Sequence, residues 1–331
     1  MSLLSLLPLS WLQLVFFLFS ILPHGAVKTS CAGFSVDVRS IDLLPEEFKV
    51  LSWNTWGLPV ALPGYDHERR FPLIADSLHA YAADIVCLQE TFHPDLRNQL
   101  IEKLGKEYFG YQDYRCSTAI IPFVNKDCYG GLMTLSRYPI ISEYFFKYPV
   151  TEATSVIERI GAKGFLFSVI QAGPLTLHVI NTHLYAGYDA FAEARRMEQI
   201  IFMDSLLRTL PEYGLHPTLL AGDLNAQHPD MACSQVYDYV ANCMEFTDTK
   251  QHISRMDLTS DAGVNAYISK KEIPSKLDYV FYKPAANGAV TVKHTGRCFD
   301  TGRPVSDHFG WHAMLAVKSR FSGAIPALAM R

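Results

Sequence analysis

Pro217-Thr218-Leu219-Leu220-Ala221-Gly222-Asp223-Leu224-Asn225 is a short apolar run that stops on an acid and a carboxamide. A run of this length reads as a buried strand. At its end, Asp223 and Asn225 can hold a hydrated divalent metal and a phosphate oxygen together. Downstream, Ser306-Asp307-His308 comes some distance after the apolar stretch Tyr279–Tyr282. An Asp-His pair there can activate water. The two segments together point to metal-assisted phosphoester hydrolysis.

Other apolar runs end in the same way. Lys49-Val50-Leu51-Ser52-Trp53 leads into Asn54, and Asp84-Ile85-Val86-Cys87-Leu88-Gln89 into Glu90. Leu175–Ile180 leads into Asn181-Thr182-His183, and Leu277-Asp278-Tyr279-Val280-Phe281 carries an acid near its start. Singly, each polar residue has an ordinary reading. Asn and Asp after a strand are usually turn residues, Glu there usually faces solvent, and a single His is usually structural. Jointly they describe one sheet edge that builds a site.

Helical spacing of apolar residues recurs over 69–81, 94–104 and 189–207. In the last segment Met197, Ile200, Ile201 and Leu207 form the predicted inner face. Strands are expected at 131–135, 141–147, 165–171, 175–181, 218–221, 277–281 and 290–294. The pair 165–171 and 175–181 reads as a hairpin turning at Ala172-Gly173-Pro174. Hairpins and crossovers together mean a mixed sheet.

No linker, repeat or charge block divides the 331 residues, so a single domain over residues 47–318 is expected, with a tail at 319–331. The net charge of −4 gives no electrostatic argument for a polyanionic partner. Residues 3–22 are almost all apolar, which predicts a signal peptide over 1–26 or an uncleaved anchor, and with either one export of the catalytic domain. There is no N-x-S/T sequon. Seven cysteines suit an oxidising compartment. Cys116–Cys128 and Cys233–Cys243 are the expected local disulfides, Cys87 a buried thiol, and Cys31 and Cys298 a further pair or left over.

In this order, S-W-N-T-W (52–56), L-Q-E-T-F (88–92), G-G-L-M-T-L-S-R-Y-P-I (130–140), N-T-H-L (181–184), G-D-L-N (222–225), L-D-Y-V-F (277–281) and S-D-H-F (306–309) resemble the endonuclease/exonuclease/phosphatase superfamily. Within it, Glu90-Thr91-Phe92, Lys163-Gly164-Phe165, Thr182-His183-Leu184 and Asp223-Leu224-Asn225 followed by His228-Pro229-Asp230 are similar to neutral and bacterial secreted sphingomyelinases. Ala226 and Leu277-Asp278-Tyr279 depart from the pattern of inositol-polyphosphate phosphatases. The resemblance implies an α/β fold, a four-layer sandwich of two packed mixed β-sheets flanked by helices.

It also implies roles. Glu90 is the principal Mg²⁺ ligand, helped by Asn54. Asp223 and Asn225 orient water and phosphate, with a second metal left open and Mn²⁺ or Co²⁺ as substitutes. His308 is the general base and a further metal-site candidate, and Asp307 supports the cluster. His183 contacts the phosphoryl or leaving oxygen, and the acid/base order of the two histidines stays open. Lys163 and Asn181 are carried over as substrate-side residues. The implied reaction is in-line hydrolysis of sphingomyelin to phosphocholine and ceramide, at a membrane surface.

Ala119–Val124 is apolar and lies between two cysteines, so Ile121 and Phe123 are candidate membrane contacts beside Phe92; a buried strand edge is the alternative. A secreted nuclease of the same fold is the rival enzyme and needs basic residues along its groove. Arg69, Arg70, Arg115 and Lys126 are the sparse candidates, and a nucleic-acid substrate is not expected. A non-catalytic binding module is the reading from a different class. Oligomeric state is not legible.

Overall fold

The structure is a computed structural model and describes residues 27–29, 45–58, 65–108, 129–152, 154–210, 212–285 and 289–318. In chain order its elements are β1 (Val27–Thr29), β2 (Glu47–Gly57), α1 (His67–Tyr81), β3 (Ile85–Thr91), α2 (Pro94–Leu104), β4 (Met133–Ser136), β5 (Ile140–Lys147) and α3 (Val156–Gly161). There follow β6 (Gly164–Ala172), β7 (Leu175–His183), α4 (Ala190–Leu207), β8 (Thr218–Asp223), α5 (Gln235–Asp238), β9 (Thr247–Asp248), β10 (Asp278–Lys283), β11 (Ala289–Cys298) and β12 (Gly310–Lys318).

Among the described residues the strands form two mixed sheets, ordered β1-β5-β6-β7-β8-β10-β9 and β11-β12-β2-β3-β4. Alternating side chains send one face of each sheet to the other. Phe48, Val50, Ile85 and Trp311 of the smaller sheet meet Leu177, Val179, Leu219 and Val280 of the larger in one core. The outer face of the smaller sheet is covered by α1 and α2 through Phe71, Ile74, Leu78, Leu96 and Leu100. The outer face of the larger sheet is covered by α4 through Ile200, Met203 and Leu207. The result is the expected four-layer sandwich. Each of these fully buried side chains contributes roughly 1.5–3 kcal/mol by leaving water.

Local chemistry sets the boundaries. Asp189 caps α4 by accepting from the Ala192 amide at 2.7 Å, and Pro94 opens α2 where no intrahelical donor is needed. The β6–β7 turn uses Gly173 at φ 59, which a residue with a Cβ adopts only at a cost. The helices expected over 69–81, 94–104 and 189–207 are α1, α2 and α4, within two residues at each end.

Five elements were not anticipated: β1, α3, α5, β9 and β12. The alternation of Trp311, Ala313 and Leu315, all fully buried, builds β12. The short α3 forms behind a Ser155 cap.

The expected Cys233–Cys243 disulfide is corrected: both are free, exposed thiols. Helical backbone over Gln235–Cys243 separates them. At about 1.5 Å per residue their Cα atoms lie on the order of 12 Å apart, beyond the roughly 7 Å reach of a disulfide. Cys87 and Cys298 are buried free thiols. Cys31, Cys116–Cys128, Ile121, Phe123, Arg115, Lys126, the segment 1–26 and the tail 319–331 lie outside the described residues. Among the described residues, no helix is long and apolar enough to cross a membrane.

Candidate active site

Strand register gathers the polar strand ends. β7 and β8 are parallel with His183 opposite Asp223, and β10 runs antiparallel to β8 with Asp278 opposite Asp223. In the facing sheet β2 and β3 are parallel with Asn54 opposite Gln89, so Glu90 follows at the same edge. β12 is antiparallel to β2, which returns the residues before Gly310 to that edge. Two bonds fix them there: Trp53 Nε1 donates to the His308 carbonyl at 3.0 Å, and Ser306 Oγ to the Asn54 carbonyl at 2.7 Å.

His308 Nδ1 lies 2.7 Å from Asp278 Oδ2, and its Nε2 is 3.9 Å from Asp223 Oδ2. His183 Nε2 is 3.5 Å from the same Asp223 oxygen and 3.9 Å from Glu90 Oε1. Asn54 Nδ2 donates to Asp223 Oδ2 at 3.1 Å. The Asn225 amide donates to Asp223 Oδ1 at 2.9 Å, and its carboxamide to the Leu184 carbonyl at 3.1 Å. Glu90 and Asn225 both have left-handed φ, 53 and 48. For Glu90 this is a strained backbone, of the kind that functional sites retain.

The electrostatics split the two imidazoles. Burial and the nearby Lys163 ammonium hold His183 neutral, well below the usual histidine range. Burial opposes the His308 imidazolium too, but the carboxylates of Asp278, Asp223 and Asp307 outweigh it and lift that group well above the usual range. Burial, then the Asp307 charge, raises Glu90 to about 7. Burial is also the largest influence on Asp307, which rises to about 6.

The residues present fit a hard divalent cation. Glu90 and Asp307 are half-buried carboxylates; burial and the Asp307 charge raise Glu90, which accepts from the Asn54 carboxamide, and burial and the Asp223 charge raise Asp307. Asp223, Asp278 and His308 bring ligand atoms within 4.8 Å of one another, and Asp278 Oδ1 and His183 Nδ1 are buried without a hydrogen-bond partner. An oxygen-rich, over-negative pocket of this kind suits Mg²⁺.

Several expectations change. Asp278, given no role in the sequence reading, orients His308; Asp307 accepts from its neighbour Ser306 Oγ at 3.3 Å and acts on His308 by its charge. Asp278 was visible as an acid beginning a strand, without an assigned role. Thr259, unnoticed in the sequence, anchors that strand start by accepting from the Leu277 and Asp278 amides at 3.0 and 3.2 Å. Asn181 does not face substrate. It is fully buried between the sheets, accepting from Gln89 Nε2 at 2.9 Å and donating to the carbonyls of Leu88 and Met133 at 3.2 and 3.1 Å. The Lys163 ammonium is bound to Glu158 Oε1 at 2.9 Å and to the Leu184 carbonyl at 2.7 Å, so it acts on Glu90 and His183 through its field. Phe92 is half-buried with its ring against Gly131, where a Cβ would come within 2.6 Å of it.

The sequence matches the Endonuclease/Exonuclease/phosphatase family over residues 51–308. It is 26% identical over 317 residues to the inositol phosphosphingolipids phospholipase C of Schizosaccharomyces pombe, covering 84% of this chain and 70% of the relative. It is 26% identical over 280 residues to the sphingomyelinase C of Leptospira interrogans, covering 78% of this chain and 48% of the relative. The chain thus spans about half the length of that bacterial relative. Among solved structures, sphingomyelinase C from Streptomyces griseocarneus superposes with a TM-score of 0.58 at 20% identity, covering 81% of this chain and 99% of that one. D. rerio TDP2 complexed with single strand DNA product superposes with a TM-score of 0.59 at 18% identity, covering 82% of this chain and 99% of that one. The fold is therefore shared by proteins of different substrates.

Proposed function

The chain belongs to the endonuclease/exonuclease/phosphatase family, and from that premise we propose that it is a Mg²⁺-dependent phosphodiesterase that hydrolyses sphingomyelin to phosphocholine and ceramide. The observation that carries the hydrolase reading is the bond from His308 Nδ1 to Asp278 Oδ2, with His308 Nε2 turned toward Asp223. Asp278 holds the Nδ1 proton, so Nε2 is the position that takes a proton from water. The water oxygen forms a bond to phosphorus as the bond from phosphorus to the ceramide oxygen breaks; the ceramide oxygen takes a proton from solvent, to which His308 releases the one it took. Neutral His183, beside Asp223 and Glu90, donates a hydrogen bond to a phosphoryl or leaving oxygen. Asn54 and Asn225 fix the Asp223 carboxylate. Glu90, Asn54 and Asp307 would hold Mg²⁺, which supplies charge stabilisation to the phosphoryl oxygens and weakens the negative field that protonates His308.

The lipid substrate is supported by the relatives' names and by an apolar surface. Ile157 is 81% exposed and Ile160 45% exposed on α3, three to six residues before Lys163. A lipid-facing enzyme needs such a face. Export, expected from the apolar run over 3–22, would bring the site to lipid outside the cytoplasm. The nuclease reading loses two of its basic candidates. Arg69 is committed to Asp66 at 2.6 Å, and Arg70 is buried against backbone carbonyls. The test is a paired assay of Mg²⁺-dependent phosphocholine release from sphingomyelin vesicles and of nicking of supercoiled DNA, each with a His308→Ala control. Lipid turnover without nicking is expected; nicking without lipid turnover moves the enzyme to the nucleases.

A further inference from the structure

At the end of β7 and β8 away from Asp223, a second group of ligating side chains converges. His178 on β7, Glu212 in the turn after α4, and His216 just before β8 bring one ligand atom each within 4.8 Å of one another. His178 is fully buried, and both of its ring nitrogens lack a hydrogen-bond partner. A buried polar group in that state is costly unless something satisfies it. The two imidazoles meet edge to face with centroids 5.2 Å apart.

Backbone bonds hold the group together. The His178 amide donates to the Pro217 carbonyl at 3.0 Å, and Thr218 Oγ1 donates to the His216 carbonyl at 3.2 Å. The Glu212 turn is closed by the Leu215 amide donating to the Glu212 carbonyl at 3.1 Å. Glu212 is exposed and His216 half-buried, so an ion reaches the buried imidazole from solvent. His178 and His183 are five residues apart on one strand, about 16 Å, which separates this cluster from the catalytic edge.

We propose that His178, Glu212 and His216 form a binding site for a borderline divalent cation of the Zn²⁺ class. Two imidazole nitrogens and one carboxylate oxygen are a ligand set that suits tetrahedral Zn²⁺, with water in the fourth position, and suits Mg²⁺ poorly. Burial holds the His178 imidazole neutral, at about 4, the form a metal ligand requires. The ion ties the turn between α4 and β8 to the middle of the larger sheet.

The test uses untagged protein saturated with Mg²⁺, with Co²⁺ as the spectroscopic probe and Zn²⁺ as competitor. One equivalent of Co²⁺ gives the intense visible bands of tetrahedral coordination, and Zn²⁺ abolishes them. His216→Ala removes the bands, and Glu212→Gln weakens Co²⁺ binding at least tenfold; both positions are accessible to solvent, so folding persists. Zn²⁺ raises the Tm of the parent chain by on the order of 5 °C and leaves that of His216→Ala unchanged. Mg²⁺-dependent turnover is the same in parent and variants. Identical Co²⁺ spectra in the parent and His216→Ala, or bands that vanish in His308→Ala instead, would overturn the site.

Discussion

His308 Nδ1 and Asp278 Oδ2 are 2.7 Å apart, joining the segment before β12 to the first residue of β10 and so one sheet to the other. Asp278 is fully buried, and its carboxylate sets the His308 ring orientation and tautomer. Asp278→Asn keeps the volume but removes the charge that holds the Nδ1 proton. Turnover at saturating Mg²⁺ should fall by roughly 10²–10⁴-fold, as when the acid of a catalytic triad is neutralised. Asp307→Asn, which leaves the His308 bond intact, should retain more turnover at saturating Mg²⁺. Equal losses in the two variants would remove the distinction drawn between these acids.

Glu90 joins the site at the end of β3 with a strained φ and a carboxyl raised to about 7. Replacing it with Gln takes away the proposed principal anionic ligand while keeping the side-chain shape. The Mg²⁺ concentration for half-maximal activity should rise by about 10²-fold, read from Mg²⁺ titrations of phosphocholine release. An unchanged Mg²⁺ requirement would reassign the metal to the Asp223 side of the cleft.

The same residue makes a stability prediction of opposite sign. In metal-free protein the Glu90 carboxyl is raised from 4.5 to about 7. The stability tied to its protonated form is fully present below 4.5 and is lost as the pH rises through about 7, up to about 3 kcal/mol. Glu90→Gln escapes that loss. In EDTA the variant should match the parent in Tm near pH 4.5 and exceed it by roughly 3–6 °C above pH 7. Mg²⁺ should close the gap by stabilising the parent alone. A parent chain that is the more stable in EDTA at high pH would contradict the desolvated carboxylate.

Parity and register decide how much of this was legible. Leu219–Gly222 is an apolar run and Leu175, Leu177, Val179 and Ile180 an apolar-rich one, because both faces of β8 and β7 are covered, and such stretches stand out in a sequence. Their polar ends were visible for the same reason. The surroundings of Asn181, carried over by resemblance as a substrate-side residue, were not legible, because it lies two residues before His183 on the same strand face. Only the packing of the sheets shows that it reaches the Leu88 and Met133 carbonyls rather than the cleft. The role of Asp278 was hidden because an acid at a strand start has no partner until β10 pairs with β8. β12 did carry a signal, the alternation of Trp311, Ala313 and Leu315, next to a motif already singled out for its chemistry.

Arg70 shows a dependence that no motif announces. Its fully buried guanidinium donates to the carbonyls of Tyr65, Thr55, Trp56 and Val305, at 2.6, 3.1, 2.6 and 2.8 Å. It therefore ties the end of β2, just after Asn54, to the stretch of chain that delivers Asp307 and His308. Arg70→Met leaves four carbonyls without that donor and should cost about 3–5 kcal/mol, read as a lower denaturant midpoint at unchanged slope. Arg70→Lys, with a point charge in place of a planar fork, should recover only part of it. A midpoint within error of the parent for Arg70→Met would show that the carbonyls find other donors.

The membrane proposal can be tested without touching the cleft. Val156, Ile157 and Ile160 are 50, 81 and 45% exposed on α3, a six-residue helix capped by Ser155 Oγ accepting from the Glu158 amide at 3.4 Å. α3 is tied to Lys163 by Glu158, which accepts from its ammonium at 2.9 Å, and the Lys163 charge reaches Glu90. Ile157→Ser with Ile160→Ser changes exposed positions and should alter stability by less than about 1 kcal/mol. On sphingomyelin vesicles the lipid concentration for half-maximal rate should rise about tenfold, since partial insertion of two isoleucines is worth on the order of 1.4 kcal/mol. Turnover of a soluble phosphocholine diester should be unchanged, because that substrate reaches Asp223 and His308 without docking on a surface. If vesicle turnover is unaffected, α3 is not the docking face, and the contact with lipid must come from elsewhere in the chain.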